Sequence, residues 1–213
     1  QGITFLLLID NSGSMYDTVA GTRTADAALM RITAAREAVR TFLASMTNPA
    51  DQVGLVDFNT FYHVLSRPTA ERERIAGLLD GIDRPTPDQA YTELYASLAS
   101  ASREFAGIGG RKAIIVLSDG ENFPYAEHSG KSHPVTGSRI TAHTAAILAC
   151  QQEGVTVYGI SFGPEKDRNL QAITVETGGK LFDAADAREL SSAYETIRRQ
   201  VAGEYLVAYR AGL

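Results

Sequence analysis

The chain has 213 residues, with 20 Lys and Arg against 25 Asp and Glu, a net charge of −5 and 44% hydrophobic residues. That length and composition describe one globular domain able to bury a core without disulfides, and the acidic balance leaves no basic stripe for nucleic acid. The single cysteine, Cys150, excludes an internal disulfide and a Cys-based metal cage and reads as a buried, inert thiol.

Residues 3–9, ITFLLLI, form an apolar run too short to cross a membrane and suited to a strand buried on both faces. No stretch of the chain reads as a membrane span. The run begins almost at the first residue, so further sequence upstream, such as a targeting segment, is expected. It ends in Asp10-Asn11-Ser12-Gly13-Ser14, where one carboxylate and two hydroxyls alternate. Loops leaving the carboxyl ends of strands in an open parallel sheet are ligand sites, and hard oxygen donors suit magnesium, manganese or calcium. The same residues also serve any tight strand-to-helix turn, with Ser12 or Ser14 as a helix cap. On this stretch alone both readings stand.

Residues 16–27 are small and polar and read as an exposed loop. Apolar residues at helical spacing (Ile32, Ala35, Val39, Phe42, Leu43, Met46) then predict a helix over about 29–46, stopped by Asn48-Pro49. DQVGLVDF and FYHVLS predict a hairpin-like pair of strands across Asn59-Thr60, with Asp57 expected to face solvent or the sheet end and given no role. A short helix over 71–79 and a proline-rich connection lead to Thr92 and a helix over 93–105. KAIIVLSDGEN predicts a second buried strand ending in Ser118-Asp119-Gly120. Residues 122–139 read as a long surface loop. A helix over 140–153, the strand VTVYGISF, a brief helix over 169–177 and the short strand KLFDA follow. A helix over 187–201 carries Leu190, Ala193, Tyr194, Ile197 and Val201 on one face. Tyr205, Val207 and Tyr209 alternate in the closing stretch, which predicts a C-terminal strand within 203–213. Strands alternating with helices make a three-layer α/β domain with a mainly parallel sheet, taken as a single domain over 1–213.

Asp119 ends a buried strand as Asp10 does, so both carboxylates belong at one edge of the sheet. Thr92 precedes a helix whose start is expected at the same edge. Alone, Asp119 is an ordinary Asp-Gly turn and Thr92 an ordinary cap. Together they complete a set of five oxygen donors.

With those residues in place the chain resembles a von Willebrand factor type A domain, also called an integrin I-like domain, of the bacterial type. The family's metal-ion-dependent adhesion site has the pattern Asp-x-Ser-x-Ser, then Thr, then Asp, matched here by Asp10, Ser12, Ser14, Thr92 and Asp119. The flanks IDNSGSM, TELYASL and IIVLSDGEN match as well, and the resemblance covers nearly the whole chain. It implies a Rossmann-like fold whose mostly parallel sheet has one antiparallel edge strand and helices on both faces. It also implies that Ser12, Ser14 and often Thr92 bind Mg2+ (or Mn2+ or Ca2+) directly, with Asp10 and Asp119 acting largely through water. The implied function is a non-enzymatic adhesion module that captures an Asp or Glu of a protein partner, with no membrane insertion of the domain itself. An extracytoplasmic setting follows by analogy.

The competing expectation is a magnesium-dependent phosphohydrolase using Asp10. That chemistry asks for a second acid two positions on, where the chain has Ser12, and for a phosphate-binding lysine, whereas Lys112 starts a strand. Glu121 has no neighbour to complete a mechanism. His128 and His133 lack companions at zinc spacing and read as solvated loop residues, and His63 and His143 as structural or exposed. No Gly-x-Ser-x-Gly elbow and no Gly-x-Gly-x-x-Gly loop occurs.

Overall fold

The computed structural model describes residues 2–211, with side chains described as far as Gly203. Six strands, β1 (Ile3–Asp10), β2 (Gln52–Phe58), β3 (Tyr62–Thr69), β4 (Arg111–Ser118), β5 (Thr156–Ser161) and β6 (Leu181–Asp183), form one sheet among the described residues. Its order is β3-β2-β1-β4-β5-β6. Only β3 is antiparallel to its neighbour; every other ladder is parallel. The fold is the Rossmann-like three-layer arrangement with one antiparallel edge strand.

The helices are α1 (Arg31–Ser45), α2 (Arg72–Leu78), α3 (Leu94–Arg103), the single turn α4 (Tyr125–His128), α5 (His143–Gln152), α6 (Arg168–Glu176) and α7 (Ala187–Ala211). They divide between the faces of the sheet according to the alternation in β1. Phe5, Leu7 and Ile9 point into a core shared with Ile32, Val39 and Phe42 of α1 and Leu190, Tyr194 and Ile197 of α7. Leu6 and Leu8 point into the opposite core, with Leu94 and Leu98 of α3, Cys150 of α5 and Ile173 of α6. Every residue of β1 is therefore buried, which is why its sequence is apolar without alternation. Each fully buried Leu or Ile adds roughly 1.5–3 kcal/mol of transfer free energy, so this strand anchors the loop that follows it.

Several expectations are corrected or refined. α7 runs through Ala211, where a C-terminal strand was expected. No proline interrupts 187–211, Gly203 alone only weakens a helix, and strand-like composition does not override an uninterrupted helix. Residues 212 and 213 lie outside the described residues. Of the two places expected for Asp57, it takes the sheet end and not solvent: near the carboxyl end of β2 it is 5% exposed and accepts from Asn11 Nδ2 at 3.1 Å. Residues 122–139 are not a featureless loop, since they contain α4 and a bridge between His133 and Gly137. His133, expected in solvent, is buried, with Nε2 donating to Thr60 O at 2.7 Å and Nδ1 accepting from the Val135 and Thr136 N–H groups.

Candidate metal centre

β1 and β4 are neighbours in parallel register, with Ile9 opposite Leu117. Their carboxyl ends therefore deliver Asp10 and Asp119 side by side, and both are buried. Asp10 Oδ1 accepts from Ser12 N at 2.8 Å and Oδ2 from Ser118 Oγ at 2.7 Å. Ser14 Oγ donates to Asp119 Oδ1 at 2.9 Å, and the Ser12 and Ser14 hydroxyls lie 3.2 Å apart. Four of the five predicted residues thus form one hydrogen-bonded cluster. Ser14 is its exposed member.

Thr92 reaches the cluster through the backbone. Gly13, between the two serines, donates its N–H to Ala90 O at 3.0 Å, and Thr92 pairs with Phe123 in a short bridge beyond Asp119. The three loops are therefore tied together before any ion is considered.

The turn-and-cap alternative can be tested on the same geometry. Ser12 begins a 3-10 turn, Gly13–Tyr16, but its side chain makes no cap bond. The N-cap of α3 is Glu93, so Thr92 stands just outside that helix. The hydroxyls are not spent on capping.

Electrostatics distinguish the two carboxylates. The guanidinium of Arg31 lies directly against Asp119 Oδ2, and its Nη1 also donates to Ser14 O at 3.1 Å. Burial raises the Asp119 carboxyl above its ordinary range, and Arg31 pulls it partly back. Asp10 has no ion-pair partner among the described residues. Burial first, and the nearby Asp119 second, push its carboxyl from 3.8 up to about 7. A buried carboxylate without a cation is costly. Among the described residues no three His, Cys, Asp or Glu side chains cluster, so a cation here would rest on two carboxylates and three hydroxyls. That donor set fits a hard ion such as Mg2+ and not Zn2+.

Four residues that sequence reasoning passed over shape this site. Arg31 carried no signal, being one polar position on an apolar-faced helix. Ser118 was visible only as a strand end. Asn11 turns away from the cluster: Nδ2 donates to Asp57 Oδ2 and to Asp83 O at 3.0 Å, while Oδ1 accepts from Tyr16 OH at 2.8 Å. Gly163 follows β5, and a Cβ there would sit 2.2 Å from Asp119 O. A glycine directly after an apolar strand was its available signal. Of the histidines, His63 Nδ1 lies 3.3 Å from Asp57 Oδ2, His143 packs edge-on to Tyr95, and His128 stacks on Phe123 at 3.6 Å.

The arrangement has counterparts. A sequence model of the von Willebrand factor type A domain matches residues 5–121. A UPF0353 protein of Mycolicibacterium paratuberculosis is 33% identical over 93% of this chain and 60% of its own length, so the chain spans about three-fifths of that relative. Among solved structures, an aerotolerance-related membrane protein from Bacteroides fragilis superposes with a TM-score of 0.71 at 19% identity, over 95% of this chain and all of the other. The vWF domain of the type V pili tip protein Mfa5 from Porphyromonas gingivalis does so with a TM-score of 0.66 at 14% identity, over 94% and 95%. The matched segment starts in β1 and ends just past Asp119, bracketing the loops that converge here. This chain belongs to the von Willebrand factor type A domain family.

Proposed function

We propose that the chain is a protein-binding module that depends on a divalent cation, magnesium with manganese or calcium as substitutes, held by Asp10, Ser12, Ser14, Thr92 and Asp119. The observation that carries this reading is the buried Asp10 carboxylate, which has hydrogen-bond donors on both oxygens and no cationic side chain against it among the described residues, beside two hydroxyls not used as caps. When bound, the ion would supply a Lewis-acidic position at which an Asp or Glu of the partner replaces a water. The chain's own part is to keep the oxygens in place. Ser118 and the Ser12 N–H orient Asp10, and Arg31 orients Asp119 and Ser14.

The fold likeness to a pili tip domain and to a membrane-associated protein supports an adhesive, extracytoplasmic role. No helix among the described residues is long and apolar enough to cross a membrane. We read the module as a binder and not an enzyme. Ser12 stands where a phosphohydrolase would carry its second acid, and Lys112 lies at the amino end of β4, opposite Thr4 and away from Asp10.

The test is thermal unfolding with Mg2+ or Mn2+ against chelator, on wild type and Asp10→Ala. A native-state ion at about 100 times its Kd adds roughly 2.7 kcal/mol. The expected result is a saturable rise in wild type that the variant lacks. No rise in wild type overturns the reading.

A further inference from the structure

A cavity of about 320 Å³ opens beside the metal centre, between the tip of the β2–β3 hairpin, α3 and the segment following His133. Its volume falls at the lower end for small organic ligands, roughly 300–1,000 Å³. Phe61, Tyr62, Ala96 and Val135 give it an apolar wall. Polar side chains, among them His63, Ser100 and Arg139, complete the lining. Ser97, 1% exposed, lines the cavity, and its hydroxyl is buried without a hydrogen-bond partner. Glu93 spends Oε1 on Tyr125 N at 2.9 Å, and Oε2 accepts no hydrogen bond among the described residues. A buried hydroxyl left unpaired is unfavourable, so it marks a place where a partner atom is missing.

The walls are bonded to the chain segment on either side of Thr92. Thr60 N donates to Gln89 O, Thr60 Oγ1 to Asp88 O, and Glu93 N to Asn59 O. His133 clamps the far side through Thr60 O. Glu93, on the cavity wall, is the residue next to Thr92. A chain segment lying across Thr92 is therefore within reach of the cavity wall.

We propose that this cavity is a second anchor for the same partner and receives a tyrosine side chain from the segment whose acidic residue the metal centre holds. The inference rests on the metal-dependent reading above. An aromatic ring matches the apolar wall, and a phenolic hydroxyl, both donor and acceptor, matches the unpaired Ser97 hydroxyl and the open Glu93 oxygen. A leucine would leave both polar groups unsatisfied.

The probes are N-acetyl-tyrosinamide, N-acetyl-phenylalaninamide and p-cresol, titrated in chelator into the full chain and followed by backbone amide NMR. Saturable shifts confined to residues 60–63, 93–100 and 133–141 are expected with the tyrosine amide. The phenylalanine amide should bind about fivefold more weakly, one hydrogen bond's worth. Ser97→Ala should shrink that difference, and Ala96→Leu, which fills the cavity from a half-buried helix position, should abolish binding. No saturable shift with the tyrosine amide, or binding that survives Ala96→Leu, overturns the proposal. Binding of p-cresol alone also overturns it, since that would make the cavity a site for free aromatics. A second arm uses peptides of one Asp and one Tyr joined by glycine linkers of increasing length. At least one should bind at least roughly tenfold more tightly in Mg2+ than in chelator, and none doing so removes the shared segment. Failure of the chelator arm indicts the cavity alone, whereas failure of the ion titration on wild type indicts the metal reading alone.

Discussion

Arg31 and Asp119 form a buried ion pair, with side chains 3% and 1% exposed, that brings a fixed positive charge to the edge of the oxygen cluster. The pair joins the first residue of α1 to the residue after β4. It neutralises one carboxylate of the site and leaves Asp10 as the one whose charge is uncompensated.

Arg31→Met keeps the volume and removes the charge. In chelator the variant should be less stable by about 3–5 kcal/mol, because Asp119 is left buried and unpaired. In Mg2+ much of that loss should return, so the ion-induced rise in Tm should exceed that of wild type. A smaller rise would mean that Arg31 serves the ion chiefly by holding Asp119 and Ser14 in position.

The raised Asp10 carboxyl sets a pH dependence. Between its ordinary value of 3.8 and about 7 the native state keeps a proton that the unfolded chain gives up. The folded state binds more protons over that window, so the ion-free protein should lose stability as pH rises through it and change little above. The total loss is on the order of a few kcal/mol. Asp119 is shifted in the same direction and adds to it. Urea denaturation in chelator across the window checks this, and Asp10→Asn should flatten the curve. Ion affinity should run the other way, strengthening with pH, because the ion and the proton compete for Asp10.

Gly163→Ala would drive a methyl group into the Asp119 carbonyl, which sits 2.2 Å from the position that a Cβ would take. Backbone cannot yield as a flexible side chain can, so the β4 loop must move. The expected effect is a destabilisation of about 1–3 kcal/mol with a weakened ion response. An unchanged ion response would show that Asp119 tolerates displacement. Gly120→Ala, at a position with open space, serves as the control.

Asn11→Ala removes the side chain that ties the metal loop to Asp57, Asp83 and Tyr16. With Asp57 and Tyr16 left buried and short of a partner, a loss of about 1–3 kcal/mol is expected in equilibrium unfolding. Hydrogen exchange should quicken at residues 11–16 first.

Cys150 is fully buried, and burial pushes its thiol up to about 12. A thiol reagent at neutral pH should react only at the rate of unfolding, and Mg2+ should slow that rate if the ion binds the native state.

The two-sided burial of β1 was legible because an apolar run without alternation has few other uses. The five oxygen-bearing positions were legible because the loops at the ends of parallel strands converge for topological reasons. What lay hidden was set by distant partners. Asp57 looks like a strand's solvent residue until Asn11, distant in sequence, is seen to donate to it. His133 sits in a polar loop and gave no hint that Thr60 O would accept a hydrogen bond from its Nε2. Arg31 belongs to the site through Asp119, 88 positions away, and through Ser14 O. The last helix misled for a different reason. Alternating aromatics describe composition, and only the continuity of the preceding helix decided the conformation.

Continuation of that helix has an architectural consequence. α7 descends from the end of β6 towards the starts of the parallel strands, where Arg111 donates to Val201 O. Ile3 and Ala202 line the same hollow there, so the chain enters the sheet and travels down α7 as near neighbours. The oxygen-lined pole stands at the opposite ends of the same strands, so the start of β1 and this stretch of α7 leave its loops clear.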